Sequence, residues 1–355
     1  MPFNYKTYGD LARDVAAGLA SLPPVDIVVG VPKSGLIPAM MIATFLNREF
    51  IDLDSFLFRY SPRSGERRQH SAVGPEKMRV LIVDDSVNSG REFRTVRSRL
   101  SHFGAEHDFV YCAVYGIRPG MHEDVTDIVL AYVDQPRFFQ WNYRNHVIAE
   151  HALFDLDGVL CVDPTDEQND DGEEYLKFIA TAQILACPKR RISGIVTSRL
   201  EKYRAETEDW LARNEIQYGE LIMLDLPTAA ERRRLKAHAP FKAEIYKSRS
   251  EVLFVESNWK QAREIAKRSD KPVICTANDM LLYGAEHLSD VEAQGGVNNL
   301  ETTATIQELR RQNRALMLQL HNKSLAEQDL PAVKSIPSFR DIRTFGKSIF
   351  RRRGK

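Results

Sequence analysis

The chain has no excess of charge of either sign: 49 lysines and arginines meet 49 aspartates and glutamates over 355 residues. That balance argues neither for nor against an anionic partner. No reading motif accompanies the basic stretches, so nucleic acid is not expected as a partner. Cysteine is scarce. Cys112, Cys161, Cys187 and Cys275 stand far apart without metal-ligand spacing, so reduced core thiols in a cytosolic protein are expected rather than a disulfide framework. No apolar run approaches the ~20 residues of a membrane span, and the N-terminus lacks the apolar stretch of a secretory leader. The expected location is the cytosol, or the cytosolic face of a membrane. There is no internal repeat.

What is present, 43% apolar and 28% charged residues, is the composition of a soluble globular protein. The length suits two domains of ordinary size and a tail. Apolar runs of strand character alternate with amphipathic segments. Helices are expected over Tyr8–Leu22, Ser34–Leu46 and Arg91–Phe103, and extended segments at Asp26–Val31, Phe50–Phe58, Arg79–Asp84, Phe109–Tyr115 and Asp127–Tyr132. The polar, basic stretch Arg59–Lys77 reads as a long loop. The pattern restarts at Ala152–Asp155 and runs through strands near Ile192–Thr197, Leu221–Leu224, Val252–Glu256 and Pro272–Cys275. Such alternation predicts an α/β protein of two doubly wound, mainly parallel-sheet domains, 1–145 and 146–285, with a helical tail over 286–355.

Two motifs carry chemistry. The strand Val80–Val83 runs into Asp84, Asp85, Ser86, Val87, Asn88, Ser89 and Gly90 before a helix. Small residues with free amides and hydroxyls can wrap a phosphate at a helix N-terminus, where the dipole favours negative charge. The two carboxylates extend past the strand end, placed for ribose hydroxyls or a magnesium ion. A second anion cradle, Gly30–Gly35, follows the first strand, with Lys33 as a point charge beside Ser34 and Gly35. Two cradles on adjacent strand ends suit a ligand with phosphate at one end and pyrophosphate at the other.

These residues resemble the type I phosphoribosyltransferases across roughly residues 1–145. The resemblance implies binding of phosphoribosyl pyrophosphate (PRPP) with magnesium. Asp84 and Asp85 would hold the ribose hydroxyls, and Ser86, Val87, Asn88, Ser89 and Gly90 the 5-phosphate. Lys33, Ser34 and Gly35 would form the pyrophosphate loop, which in that family often holds a non-proline cis peptide. Arg59–Lys77 would be the flexible catalytic loop. A nucleobase hood is hard to find beyond Phe138-Phe139-Gln140-Trp141-Asn142-Tyr143, a run that could stack on an acceptor or pack the two domains together.

In the second half, Asp155 and Asp157 flank Leu156 at a strand end before Gly158. One carboxylate is placed for attack on phosphorus and the other for proton transfer. Thr197, Glu256 and a lysine, Lys242 or Lys247, extend the pattern. This resembles the haloacid dehalogenase (HAD) superfamily of phosphatases over residues 148–285, with a HAD-like Rossmannoid fold. The resemblance implies Asp155 as nucleophile, Asp157 as general acid/base, Thr197 on the phosphoryl group and Lys242 stabilising the intermediate. Asp155, Asp157 and Glu256 would hold magnesium. Lys242 is preferred as the residue that opens a helix Ala243–Arg249. The acidic stretch Asp163–Glu174 reads as solvated loop.

In the tail, Ile306, Leu309, Asn313, Leu316 and Leu320 keep a short heptad spacing, compatible with a paired helix and hence a homodimer, or with docking onto the protein itself. Eight basic residues over 334–355, with apolar residues at helical spacing, suit an anionic membrane surface. The pairing of the two motifs resembles dual-domain phosphoribosyltransferase–phosphatase proteins that install ribofuranose in bacterial polysaccharides. It implies transfer of phosphoribose to a hydroxyl of a lipid-linked glycan, then removal of the 5-phosphate. The competing reading is an orotate- or purine-type transferase with a fused nucleotide phosphatase.

Overall fold

The structure, a computed structural model, describes residues 3–59 and 77–284. Residues 60–76 of the basic stretch expected as a catalytic loop, the heptad and the basic tail lie outside the described residues. The strands are β1 (Asn4–Lys6), β2 (Ile27–Gly30), β3 (Glu49–Asp52), β4 (Met78–Ser86), β5 (His107–Gly116), β6 (Ile128–Tyr132), β7 (Arg137–Phe139), β8 (Ala152–Phe154), β9 (Ile192–Leu200), β10 (Tyr218–Leu224), β11 (Leu253–Glu256), β12 (Val273–Cys275) and β13 (Met280–Leu282). The helices are α1 (Tyr8–Gly18), α2 (Leu36–Leu46), α3 (Leu53–Arg59), α4 (Arg91–Leu100), α5 (Glu173–Thr181), α6 (Arg204–Arg213), α7 (Ala229–Arg234), α8 (His238–Ser248) and α9 (Trp259–Ser269).

One five-stranded sheet has the order β3-β2-β4-β5-β6, all parallel. A second, of six strands, has the order β10-β9-β8-β11-β12-β13, parallel except for the last strand. Both sheets belong to one compact unit. Their strands read as continuous apolar runs because each is covered on both faces. Ile27, Val29, Val80 and Ile82 enter one core of the first sheet, while Val28, Leu81 and Val83 enter the other. Phe154, Leu253 and Val255 face one core of the second sheet, and Leu153 and Phe254 the opposite one.

Local signals set several boundaries. Thr7 and Asp10 form a reciprocal capping box at the start of α1. Asn258 accepts the amides of Lys260 and Gln261 and starts α9. The expected extended segment Phe50–Phe58 is corrected: β3 ends at Asp52 and α3 begins at Leu53. Asp52 accepts the Ser55 amide there, which caps the first turn of α3. No helix among the described residues is long and apolar enough to cross a membrane.

The aromatic run falls on a small element that periodicity missed. Arg137–Phe139 pairs in parallel with Asn4–Lys6 as a separate two-stranded sheet. Phe138 and Tyr143 join the core of the second sheet, and Phe139 and Trp141 join the core of the first. The run therefore packs against both sheets.

Candidate functional site

The first site forms where β2 and β4 end side by side. Gly30 stands opposite Val83, and the Val31 amide donates to the Val83 carbonyl at 2.9 Å. The following loop folds back over β4. A Cβ on Gly35 would sit 2.6 Å from the Val83 carbonyl oxygen, 2.7 Å from that of Val31 and 2.8 Å from the Asp84 Cα, so only glycine allows this approach. The Pro32–Lys33 peptide is cis. Lys33 is exposed, and the Ser34 hydroxyl donates to Asp85 Oδ1 at 2.9 Å. The two anion cradles read from the sequence are thereby joined by one hydrogen bond.

Asp84 and Asp85 are buried, 6% and 4% exposed. Asp84 Oδ1 accepts the Asp85 amide at 2.8 Å. Burial, and then Asp85 beside it, push the Asp84 carboxyl well above the usual carboxylate range. Asp85 Oδ2 accepts the Trp141 indole N–H at 2.6 Å. Among the described residues, the pair thus accepts hydrogen bonds from the neutral Ser34 and Trp141 side chains and a backbone amide. Beyond them, Val87 turns into the core while Asn88 and Ser89 are exposed. Gly90 takes a left-handed conformation (φ 71°) as the residue before α4.

Sequence reasoning missed what lies under this loop. Arg137 is 5% exposed, and its guanidinium donates to the carbonyls of Val87 (2.7 Å), Gly116 (2.5 Å) and Val133 (2.9 Å). It ties the loop Ser86–Gly90 to the ends of β5 and β6. Gln135 adds a contact to Asn88 at 3.3 Å. No pattern marked Arg137, because it belongs to no periodic face.

The second site lies at the ends of β8, β9 and β11. Lys242, from the middle of α8 rather than its start, is 2% exposed. Its ammonium donates to Asp155 Oδ2 at 2.7 Å, Glu256 Oε2 at 2.7 Å and Gln261 Oε1 at 3.1 Å. Lys247 is exposed, so the structure brings Lys242 and not Lys247 to the carboxylates. Burial raises the Asp155 carboxyl to about 8, with Lys242 opposing the rise and Glu256, sharing the same ammonium, adding to it. Burial also opposes the charge on Lys242, but the two carboxylates outweigh it and hold the ammonium charged. Glu256 Oε1 accepts the amides of Ser257 and Asn258, each at 2.9 Å. Thr197 is buried beside them, its hydroxyl accepting the Arg199 amide at 3.2 Å.

Asp157 is engaged too. Arg199, with a fully buried side chain, donates to Asp157 Oδ1 at 2.6 Å and through Nε to both carboxylate oxygens at 3.1 and 3.2 Å. Arg199 stands two residues after Thr197 on the same strand, so strand alternation could have placed both on one side. Gly158, at φ 77°, lets Ser257 approach where a Cβ would meet its Oγ at 2.2 Å and Asp163 Oδ2 at 2.8 Å. Asp163 keeps an open surface, yet its carboxyl is pushed up to about 6 by burial and by Asp157 and Glu256 nearby.

The stretch Asp163–Glu174 is a loop of exposed and half-buried residues as far as Gly172, as expected, with α5 beginning at Glu173. Asp170 accepts the amides of Gly172 and Tyr175 at the start of α5, and Asp171 accepts the Ala229 amide and the Tyr203 hydroxyl. Among the described residues, no three His, Cys, Asp or Glu side chains converge to hold a metal ion. Lys242 stands between Asp155 and Glu256, and Arg199 occupies Asp157, so these three carboxylates do not fit a metal in this arrangement.

A scan against known protein families finds no match. Among solved structures, the chain is similar to the purine phosphoribosyltransferase of Pyrococcus horikoshii, with 24% identity over 40% of this chain and 95% of that one and a TM-score of 0.30. It is similar to the Helicobacter pylori xanthine-guanine-hypoxanthine phosphoribosyltransferase at 13% identity over 40% and 93%, TM-score 0.31. The orotate phosphoribosyltransferase of Aeropyrum pernix shares 19% over 35% and 70%, TM-score 0.26. Matches this distant leave the function to be read from the side chains themselves.

Proposed function

We propose that the chain transfers 5-phosphoribose from PRPP to an acceptor hydroxyl, and that the second site then removes the 5-phosphate. The observation that carries the first step is the Ser34–Asp85 hydrogen bond, which fixes two anion cradles and an acidic pair on adjacent strand ends. In that step the bond from C1 to the pyrophosphate oxygen breaks and the acceptor oxygen bonds to C1. Pyrophosphate leaves, and the acceptor loses its proton.

Magnesium fits the first site. Asp84 and Asp85 are buried, with neutral donors on Asp85 and a backbone amide on Asp84, and they would hold the ion. When bound it would offset the charge of the departing pyrophosphate. The loop Ser86–Gly90, tied down by Arg137, would seat the 5-phosphate at the start of α4.

For the second step, an Asp155 oxygen would bond to phosphorus as the bond from phosphorus to the ribose 5-oxygen breaks, that oxygen leaving and taking up a proton, while Lys242 offsets the phosphoryl charge. Water would then cleave the aspartyl phosphate, releasing phosphate and restoring the Asp155 carboxylate. The grip of Arg199 on Asp157 favours Asp157 as a carboxylate that orients this water. A lipid-linked bacterial glycan is the acceptor we infer, supported by the basic amphipathic sequence over 334–355 and by the packing role of the aromatic run.

Pyrophosphate release tests the first step. Wild type with PRPP, magnesium and a glycan acceptor should release it, and Asp85→Ala should not. Release driven by orotate or a purine, with none from glycans, would replace the glycan reading with nucleotide metabolism.

A further inference from the structure

We propose that Trp141 is a positioning residue for the donor site, whose indole N–H stands in on Asp85 for a ribose hydroxyl and leaves when PRPP enters. This rests on the PRPP reading above. Asp85 is 4% exposed, and a buried carboxylate without donors is costly. Its two oxygens are served by two neutral side chains, Ser34 on Oδ1 and Trp141 on Oδ2 at 2.6 Å. Ser34 belongs to the loop packed against β4. Trp141 belongs to no sheet, following the short strand β7 by two residues.

The indole is the donor held by ring contacts rather than by a loop packed on β4. Its ring stacks parallel on Phe139, with centroids 4.8 Å apart and planes at 2°, and meets the exposed Tyr8 ring at 5.5 Å. It is only partly buried. A vicinal diol brings two hydroxyl donors of its own, so a ribose can satisfy Asp85 once the indole withdraws. The freed ring would then border the acceptor position beside Tyr8, and donor would bind before acceptor.

The test titrates the full-length protein with PRPP, using Trp141→Phe, which keeps the ring and removes the N–H. Phenylalanine leaves the empty site one donor short, so PRPP binding should tighten about tenfold, the scale of one charge-assisted hydrogen bond. With Trp141 in place, PRPP should also raise quenching of tryptophan emission by acrylamide. Trp210 does not contribute to that change, because it is buried with its indole bonded to the Ala182 carbonyl, and the partly exposed Trp259 is replaced by phenylalanine in the protein used for quenching. This readout decides the matter even if Trp141→Phe folds poorly. Unchanged or weaker binding by a folded Trp141→Phe, or quenching that PRPP leaves unaltered, overturns the stand-in role while PRPP binding itself persists. Failure of wild type to bind PRPP at all overturns both.

Discussion

Replacing Lys242 by methionine removes one charge and keeps most of the stem volume, so it isolates the electrostatics of the second site. The ammonium lies 2.7 Å from both Asp155 and Glu256, and the three side chains are 2%, 7% and 1% exposed. Without it, two buried carboxylates face each other with Gln261 as the remaining neighbour of the lost ammonium. Breaking a buried ion pair from one side costs about 3–5 kcal/mol. The methionine leaves little cavity, so nearly all of this should be charge.

The Asp155 carboxyl, raised by burial, would then lose the cation that opposes that rise. Such a group stabilises the fold below its unfolded pKa and loses that contribution as pH rises through the folded pKa. The penalty should therefore be largest near pH 7 and shrink toward pH 5. Urea unfolding followed by Trp210 and Trp259 fluorescence at the two pH values measures it. Adding Glu256→Gln should restore part of the loss, because one acid then no longer needs a cation. Lys247→Met, on the exposed side of the same helix, should stay within about 0.5 kcal/mol of wild type. A Lys242→Met penalty below about 1 kcal/mol at pH 7, or one that ignores pH, refutes the shared-cation reasoning.

Gly35→Ala places a methyl against backbone atoms of Val83, Val31 and Asp84 that cannot step aside. It should cost roughly 1–3 kcal/mol in thermal unfolding and weaken PRPP binding more than it weakens the fold. Arg137→Met removes this donor from the Val87 and Val133 carbonyls and leaves Gly116 with the Val133 amide. About 2–4 kcal/mol of stability should be lost, with PRPP binding impaired because the Val87 carbonyl is no longer tied down. His238 is held down at about 4 by burial, then by Arg232 and Lys242. An unfolded histidine titrates near ~6.5, so its contribution is full above that pH and is lost as pH falls toward the folded value. His238→Gln should flatten the acid limb of the stability profile by roughly 1 kcal/mol, partial exposure screening the rest.

Much of the fold was legible because buried parallel strands read as unbroken apolar runs, and β2, β4, β5 and β9 fall where those runs do. The segment after Asp52 was misread because Leu53, Phe56, Leu57 and Phe58 carry bulky apolar side chains that suit strand and helix alike, and the Asp52 cap decided between them. The strand ends bearing Asp84, Asp85, Asp155 and Asp157 were visible as acidic breaks after apolar runs. Their partners were less so. Arg137, Trp141, Arg199 and Asp163 reach the sites from positions whose meaning comes from tertiary contact, and no local spacing encodes which carboxylate a distant cation will meet. The sequence places Lys242 at a helix start, whereas it lies buried within α8, where its ammonium meets Asp155 and Glu256.

The most direct test of the two-step account is the mass of the acceptor after incubation with PRPP and magnesium. Wild type should add a bare pentose, Asp155→Asn a phosphopentose, and Asp85→Ala nothing. A phosphopentose left on the acceptor by wild type would remove the second step, and an acceptor unmodified by all three proteins would contradict the account as a whole.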